Sequence, residues 1–411
     1  MMDAVWQRGR RAALGMLGAG VVALVAACST GSGPGGPAAT ATPGTGSTVP
    51  LARAPEPVPD RGPVPVALLV PIGSDSTRVA TDARAIVQAA ELALEEDGRG
   101  QVRLVVLDTQ GTPIGAEAAA RAALTSGARL VLGPLFGANT PTVGRIAAGG
   151  GVRTISFSTD TSVAGEPVYV SGFTPEGEVA RILDFAGRNG LRQLGIYAPD
   201  VPTGTAALRG IEASAAAAGM TVGARTIYPR SFQDIEATAP NFALEASAAG
   251  VDALLLPDFG EGLAIAGSFM DFHRISQPEV RYLGIGGWES RTTLREDSLR
   301  GGWFAGADPE AKRAFYTRYS ERYGSVPPFV AVLGYDAASM AAELVATARA
   351  TRAPEPFSAA AITRPEGFRG AVGAFRFRPD GRAERGLAIL QVADGRFAVL
   401  EPAQQRFGAG F

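Results

Sequence analysis

From residue 64 onward the apolar positions follow two alternating patterns. Val64-Pro65-Val66-Ala67-Leu68-Leu69-Val70 is an unbroken apolar run closed by Pro71, as expected of a strand buried on both faces. Residues 79–96 then place Val79, Ala83, Ile86, Val87, Ala90 and Leu94 at helical spacing, which predicts a helix with one apolar stripe. The alternation continues with predicted strands over 102–107, 129–132, 152–157 and 168–170, separated by helices over 116–124 and 141–148. A second series follows: helices 176–188, 203–218, 233–248 and 260–274 alternate with strands 192–198, 221–227, 251–256 and 280–284. Strand, crossover helix, strand is the arrangement that makes parallel sheets. The expectation is an α/β fold of two doubly wound parallel-sheet lobes, about 64–172 and 173–302. Helices near 309–323 and 329–350 come next. The tail changes period: Ala374-Phe375-Arg376-Phe377 alternates, Pro379-Asp380-Gly381 and Asp394-Gly395 turn, and two further apolar runs close it. This predicts a small C-terminal antiparallel hairpin.

The first 27 residues have a different grammar. Arg8, Arg10 and Arg11 precede about sixteen uncharged residues that end Val25-Ala26-Ala27-Cys28. That core is shorter than the roughly twenty residues a membrane span needs, so it reads as a signal peptide. Small residues directly before the only cysteine resemble a bacterial lipobox, which implies lipidation of Cys28 and a lipid-anchored periplasmic protein. Ser29, rather than Asp, follows the cysteine, which by the same resemblance implies the inner leaflet of the outer membrane. Residues 28–63 are Gly, Pro, Ser, Thr and Ala with almost no large apolar side chain, the composition of a tether. About 36 such residues typically span on the order of 30–35 Å, and about 110 Å when drawn straight.

Composition narrows the function. Of 411 residues, 46% are hydrophobic and 19% charged, with a formal net charge of −2. A packed core is therefore expected, and nucleic acid is not a main partner. One Cys, one His (His273) and one Lys (Lys312) leave no material for a disulfide framework, a multi-Cys or multi-His metal site, or a His-based catalytic cluster. Neither a G-x-S-x-G elbow nor a phosphate-binding loop occurs. Gly284-Ile285-Gly286 lacks the third glycine of a dinucleotide fingerprint and reads as a turn. Phe315, Tyr319 and Tyr323 repeat every four residues, a packing face. The chain is thus expected to be no enzyme and to need no cofactor or metal. The Arg-dominated basic set, with Lys312 alone, reads as genome composition.

Several segments together carry a resemblance. Val131-Leu132-Gly133-Pro134-Leu135-Phe136, Arg153-Thr154-Ile155-Ser156-Phe157-Ser158, Ala311 to Tyr323 with Pro327-Pro328, Gly334-Tyr335-Asp336-Ala337, and Gly370 to Phe377 with Asp380-Gly381 resemble the type I periplasmic-binding-protein fold. The branch is the leucine/isoleucine/valine-binding one, over about residues 64–400. The lipobox and tether, with Asp252 to Pro257 and Arg281 to Gly284, are similar to the penicillin-binding-protein activator lipoproteins. That likeness implies a non-enzymatic lipoprotein docking on a membrane-bound peptidoglycan synthase. The alternative is a solute receptor of an ABC importer for amino acids or a related small polar ligand. The implied lobes are 64–172 with about 303–350, and 173–302 with about 366–402.

In doubly wound sheets ligands sit beyond the carboxyl ends of the strands. Reading off those ends gives Phe136 and Asn139, Ser158, Thr159 and Asp160, Thr203, Asp258 and Phe259, and Trp288 and Glu289 as candidates for an interlobe cleft. The same residue types are favoured as helix caps, which is the plainer reading of any one of them. Amino-acid binders of this branch place ligand-holding hydroxyls where this chain has Gly137-Ala138 and Asp160, and an aromatic residue near Thr203. The departures imply weak or no binding of free leucine or valine if Asp160 and Asp258 face inward.

Overall fold

A computed structural model describes residues 62–96 and 100–408. Cys28, the signal segment and all but the last two residues of the tether lie outside the described residues.

The first sheet comprises β1 (Val64–Val70), β2 (Val102–Asp108), β3 (Leu130–Leu132), β4 (Arg153–Ser156) and β5 (Val168–Val170), all parallel in the order β2-β1-β3-β4-β5. Between them run α1 (Thr77–Glu96), α2 (Pro113–Thr125) and α3 (Thr140–Gly149). The apolar run of β1 is divided by the pleat. Val64, Val66, Leu68 and Val70 enter a core with α1, while Ala67 and Leu69 pack with Ala116, Ala120 and Val143 of α2 and α3 on the other face. That double burial explains why β1 does not alternate in sequence.

The second series is α4 (Pro175–Arg188), β6 (Gln193–Pro199), α5 (Pro202–Ser214), β7 (Thr221–Tyr228), α6 (Phe232–Ala248), β8 (Ala253–Leu255), α7 (Gly260–Phe272), β9 (Arg281–Gly284), α8 (Arg291–Arg295) and β10 (Trp303–Gly306). The chain then returns to the first lobe through α9 (Pro309–Tyr323) and α10 (Ala331–Thr351). Phe315, Tyr319, Val332, Ala338 and Ala341 of these helices share a core with β1 and α1. Phe315 and Tyr319 thus form the packing face their spacing predicts.

After α11 (Ala359–Ile362), strands β11 (Phe368–Arg369), β12 (Ala374–Phe377) and β13 (Ala383–Arg385) make a three-stranded antiparallel sheet. Strands β14 (Ala388–Ala393) and β15 (Arg396–Glu401) instead join β10, antiparallel, and extend the second sheet to the order β15-β14-β10-β9-β8-β6-β7. The division therefore differs from the expected lobes in two places. Residues 303–306 belong to the second lobe, because β10 pairs with β9 and β14. Residues 368–385 belong to the first, because Phe368, Phe375 and Phe377 are buried in its core. Periodicity sets which face of a strand is buried, not which of two sheets it joins.

The chain thus passes between the lobes three times, after β5, after β10 and after β13. The last crossing is held by an ion pair that is almost fully buried. Arg385 reaches Asp336 of α10 at 2.7 Å and donates twice to the Ser171 carbonyl beside the first crossing. Asp336 also accepts the Ala371 N–H at 2.7 Å. The second crossing ends at Asp308, which caps α9 by accepting the N–H groups of Glu310 and Ala311.

Candidate functional site: the interlobe cleft

Between the lobes, beside the crossings, lies a cavity of about 790 Å³. The first lobe supplies the loop after β3 (Leu135, Phe136, Gly137) and the loop after β4 (Phe157, Ser158, Thr159). It adds Asp82 of α1, Lys312 and Tyr316 of α9, and Phe329, Val330 and Leu333 at the start of α10. The second lobe answers with Phe173, Glu178 of α4, and Gly286 and Glu289 of the loop after β9. Gly306 and Ala307 of the second crossing form part of the wall.

The two first-lobe loops meet tightly. A Cβ on Gly137 would stand 2.6 Å from Ser158 Oγ, so that position admits only glycine without movement. Ser158 is buried; its Oγ accepts the Asp160 N–H at 2.9 Å, and its own N–H donates to Ser156 Oγ at 3.3 Å. Across the cleft, Lys312 of the first lobe pairs with Glu289 of the second. Its ammonium also lies 5.7 Å from the centre of the Phe329 ring, within cation–π range. Phe329 packs against Phe173 with ring centres 4.9 Å apart.

Glu178 is the least solvated carboxylate of the cleft, 9% exposed. Its Oε2 accepts the Gly286 N–H at 3.1 Å. Burial raises its pKa to about 7; the Gly286 bond opposes the shift and the neighbouring Glu176 charge adds to it. Glu176 is tied to Arg209 at 2.7 Å and accepts the Thr161 hydroxyl at 2.8 Å, a bond that joins the lobes.

Of the residues expected in the cleft, Phe136, Ser158, Thr159 and Glu289 line it. The others serve the scaffold. Asn139 is buried where α3 begins, away from the cavity lining. Asp160 caps a 3₁₀ turn by accepting from the N–H and hydroxyl of Ser162, which hold its pKa low. Thr203 lies in the first turn of α5 and outside the lining. Asp258 is fully buried inside the second lobe, where the Tyr228 hydroxyl, Arg230 Nε and Phe259 N–H each reach it at 2.7 Å. Phe259 is exposed and covered on one face by the Arg230 guanidinium at 4.2 Å. Trp288 is sealed in the second core, donating from Nε1 to the Leu256 carbonyl at 2.9 Å. Neither Asp160 nor Asp258 therefore faces a ligand carboxylate.

Sequence reasoning missed Glu178, Lys312, Tyr316, Phe173, Phe329 and Asp82. Glu178 falls in the first turn of a helix, where an acidic residue already suits the dipole. The signal available for Lys312 was its being the only lysine, and genome composition masked it.

A family model for periplasmic binding proteins matches residues 63–396, and the chain belongs to that family. No curated protein matches. Among solved structures, a Rhodospirillum rubrum protein provisionally assigned as a branched-chain amino acid ABC transporter superposes with a TM-score of 0.69. It is 20% identical, over 82% of this chain and 99% of that one. A branched-chain amino acid ABC transporter periplasmic ligand-binding protein from Burkholderia xenovorans LB400 gives 0.65 at 17% identity, over 83% and 96%. An ABC transporter solute-binding protein from Rhodopseudomonas palustris BisB5, in complex with 3,4-dihydroxybenzoic acid, gives 0.57 at 18%, over 85% and 98%. These likenesses show the type I fold with two parallel-sheet lobes. Membership of this solute-binding family makes the chain a non-enzymatic protein.

Proposed function

We propose that the chain is a solute-binding receptor which holds a small organic ligand between its lobes and presents it to an ABC importer. The observation that carries this reading is the cleft itself. It is walled from both lobes, lined by Phe136, Phe157, Phe173, Tyr316 and Phe329, and furnished with a few charged groups. An apolar concavity with a small number of fixed polar groups is what small-ligand sites have in common. The named neighbours are transport proteins, which agrees with the reading. Docking on a peptidoglycan synthase finds no support in the relatives or in the cleft, and the solute-receptor alternative takes its place.

The ligand body is apolar or aromatic, since aromatic faces make up much of the wall. Free leucine or valine would lack here the two hydroxyl positions described above. The protein is held at the periplasmic face of a membrane by a lipid on Cys28. Replacing Cys28 with Ala leaves an unprocessed precursor that incorporates no palmitate label; a labelled variant contradicts the anchor.

Thermal shift of the purified protein against a panel of aliphatic and aromatic amino acids, aromatic acids and amines tests the receptor reading. At least one compound is expected to raise the melting temperature in a concentration-dependent way. Silence across the whole panel contradicts it.

A further inference from the structure

The charges lining the cleft are unequal. Three carboxylates, Asp82, Glu178 and Glu289, face one cation, Lys312, and Lys312 is already paired with Glu289. Glu178 differs from the other two in being enclosed. Its Oε2 takes the Gly286 N–H, while Oε1 receives no hydrogen bond among the described residues. The loop meets it with bare backbone, since a Cβ on Gly286 would come 2.6 Å from Oε1. Aromatic side chains from both lobes line the same cavity. A carboxylate in such a place is stabilised by a cation brought to it, because desolvation without a partner costs several kcal/mol. Aromatic faces attract the same kind of group, as Lys312 over Phe329 already illustrates.

We propose that the cleft selects a ligand carrying an ammonium group on an aromatic or apolar body, and that Glu178 is the residue that takes the ammonium. The proposal rests on the solute-receptor reading and narrows it to a ligand class. A carboxylate on the ligand would find Lys312 engaged by Glu289 and would approach two further carboxylates, so an amine is preferred to an acid of the same shape. The charged and titratable groups around Glu178 are Glu176 on its own helix, itself tied to Arg209 and Thr161, Glu289 on the β9 loop, Lys312 and Tyr316 on α9, and Asp82 on α1. Burial and Glu176 keep a proton on Glu178 up to about pH 7. An arriving ammonium replaces that proton, which passes to solvent, so binding near neutrality releases up to about half a proton per ligand.

Calorimetry of the purified protein at pH 7, in two buffers of different ionisation enthalpy, tests this with 2-phenylethylamine, L-phenylalanine and phenylacetate. The amine is expected to bind about 30-fold or more tighter than the acid, with L-phenylalanine between. It should release about half a proton, and Glu178→Gln should abolish the release and weaken the amine by about 30-fold or more. Gln keeps an acceptor for the Gly286 N–H. Glu178→Asp, which keeps the charge, should retain proton release with weaker affinity, and it serves if the Gln variant fails to fold. Three results overturn the proposal: no binding of the amine, tighter binding of phenylacetate, or amine affinity unchanged in Glu178→Gln. If phenylacetate or L-phenylalanine binds and the amine does not, the ligand class is wrong and the receptor reading stands. Silence across the wider thermal-shift panel removes the receptor reading itself.

Discussion

Glu178 carries a pH dependence whose sign follows from its burial. Its folded pKa of about 7 lies above the ordinary carboxylate value of 4.5, so the folded state holds the proton more tightly than the unfolded chain. Stability is therefore greatest below about pH 4.5 as far as this group is concerned, falls as pH rises to about 7, and stays lowered above it. The difference is of order 3 kcal/mol. Glu178→Gln, which cannot ionise, should melt at the same temperature as the parent protein near pH 4.5 and higher than it at pH 8. Equal melting at pH 8 would mean that Glu178 is better solvated than its position implies. The candidate site was legible in part at this scale, four of the ten expected residues lying on the cavity wall. Phe136, Ser158, Thr159 and Glu289 follow from the rule that loops at strand carboxyl ends face a ligand. Asp160 and Asp258 obey the same rule in sequence, yet one caps a turn and the other is consumed by Tyr228 and Arg230. Capping, pairing and ligand binding use the same residue types, and only the direction of the side chain separates them.

Among the elements, the helices and parallel strands were the most legible part, because β1, β3 and β8 are short apolar runs and α1 and α4 carry clear stripes. The tail was read correctly as antiparallel and attributed to the wrong lobe for β11 to β13. Its anchor is the Asp336–Arg385 pair, at which the Gly334-Tyr335-Asp336-Ala337 motif acquires a physical role. Asp336 joins α10 to the tail through Arg385 and the Ala371 N–H, and Arg385 continues to the Ser171 carbonyl. Asp336→Ala would leave a guanidinium buried without its counter-ion. The expected loss is about 3–5 kcal/mol, read as a drop in denaturant midpoint. A loss below about 1 kcal/mol would show that water or a neighbouring carbonyl replaces the carboxylate.

At the scale of the whole molecule, the two lobes are joined by three crossings, and among the described residues they are bridged by Lys312 with Glu289, Thr161 with Glu176 and the Phe173 ring against Phe329. Such contacts hold the lobes together over the cavity, and a ligand that adds contacts to both walls favours that closed arrangement over a splayed one. Two lobes were evident from the repeated strand–helix alternation, but the cleft's chemistry was not. It is assembled from α1, α4, α9 and α10 as much as from the loops, residues far apart in the chain. The central claim is that this cleft is where the ligand binds. Thr159 is exposed on the cavity wall, so a tryptophan there fills the cavity without disturbing either core. Calorimetric titration of Thr159→Trp, with whichever compound shifts the melting temperature of the parent protein, is the most direct measurement. The account predicts affinity lost by at least about 100-fold with the unliganded melting temperature unchanged. Equal affinity in the two proteins would place the ligand elsewhere and contradict it.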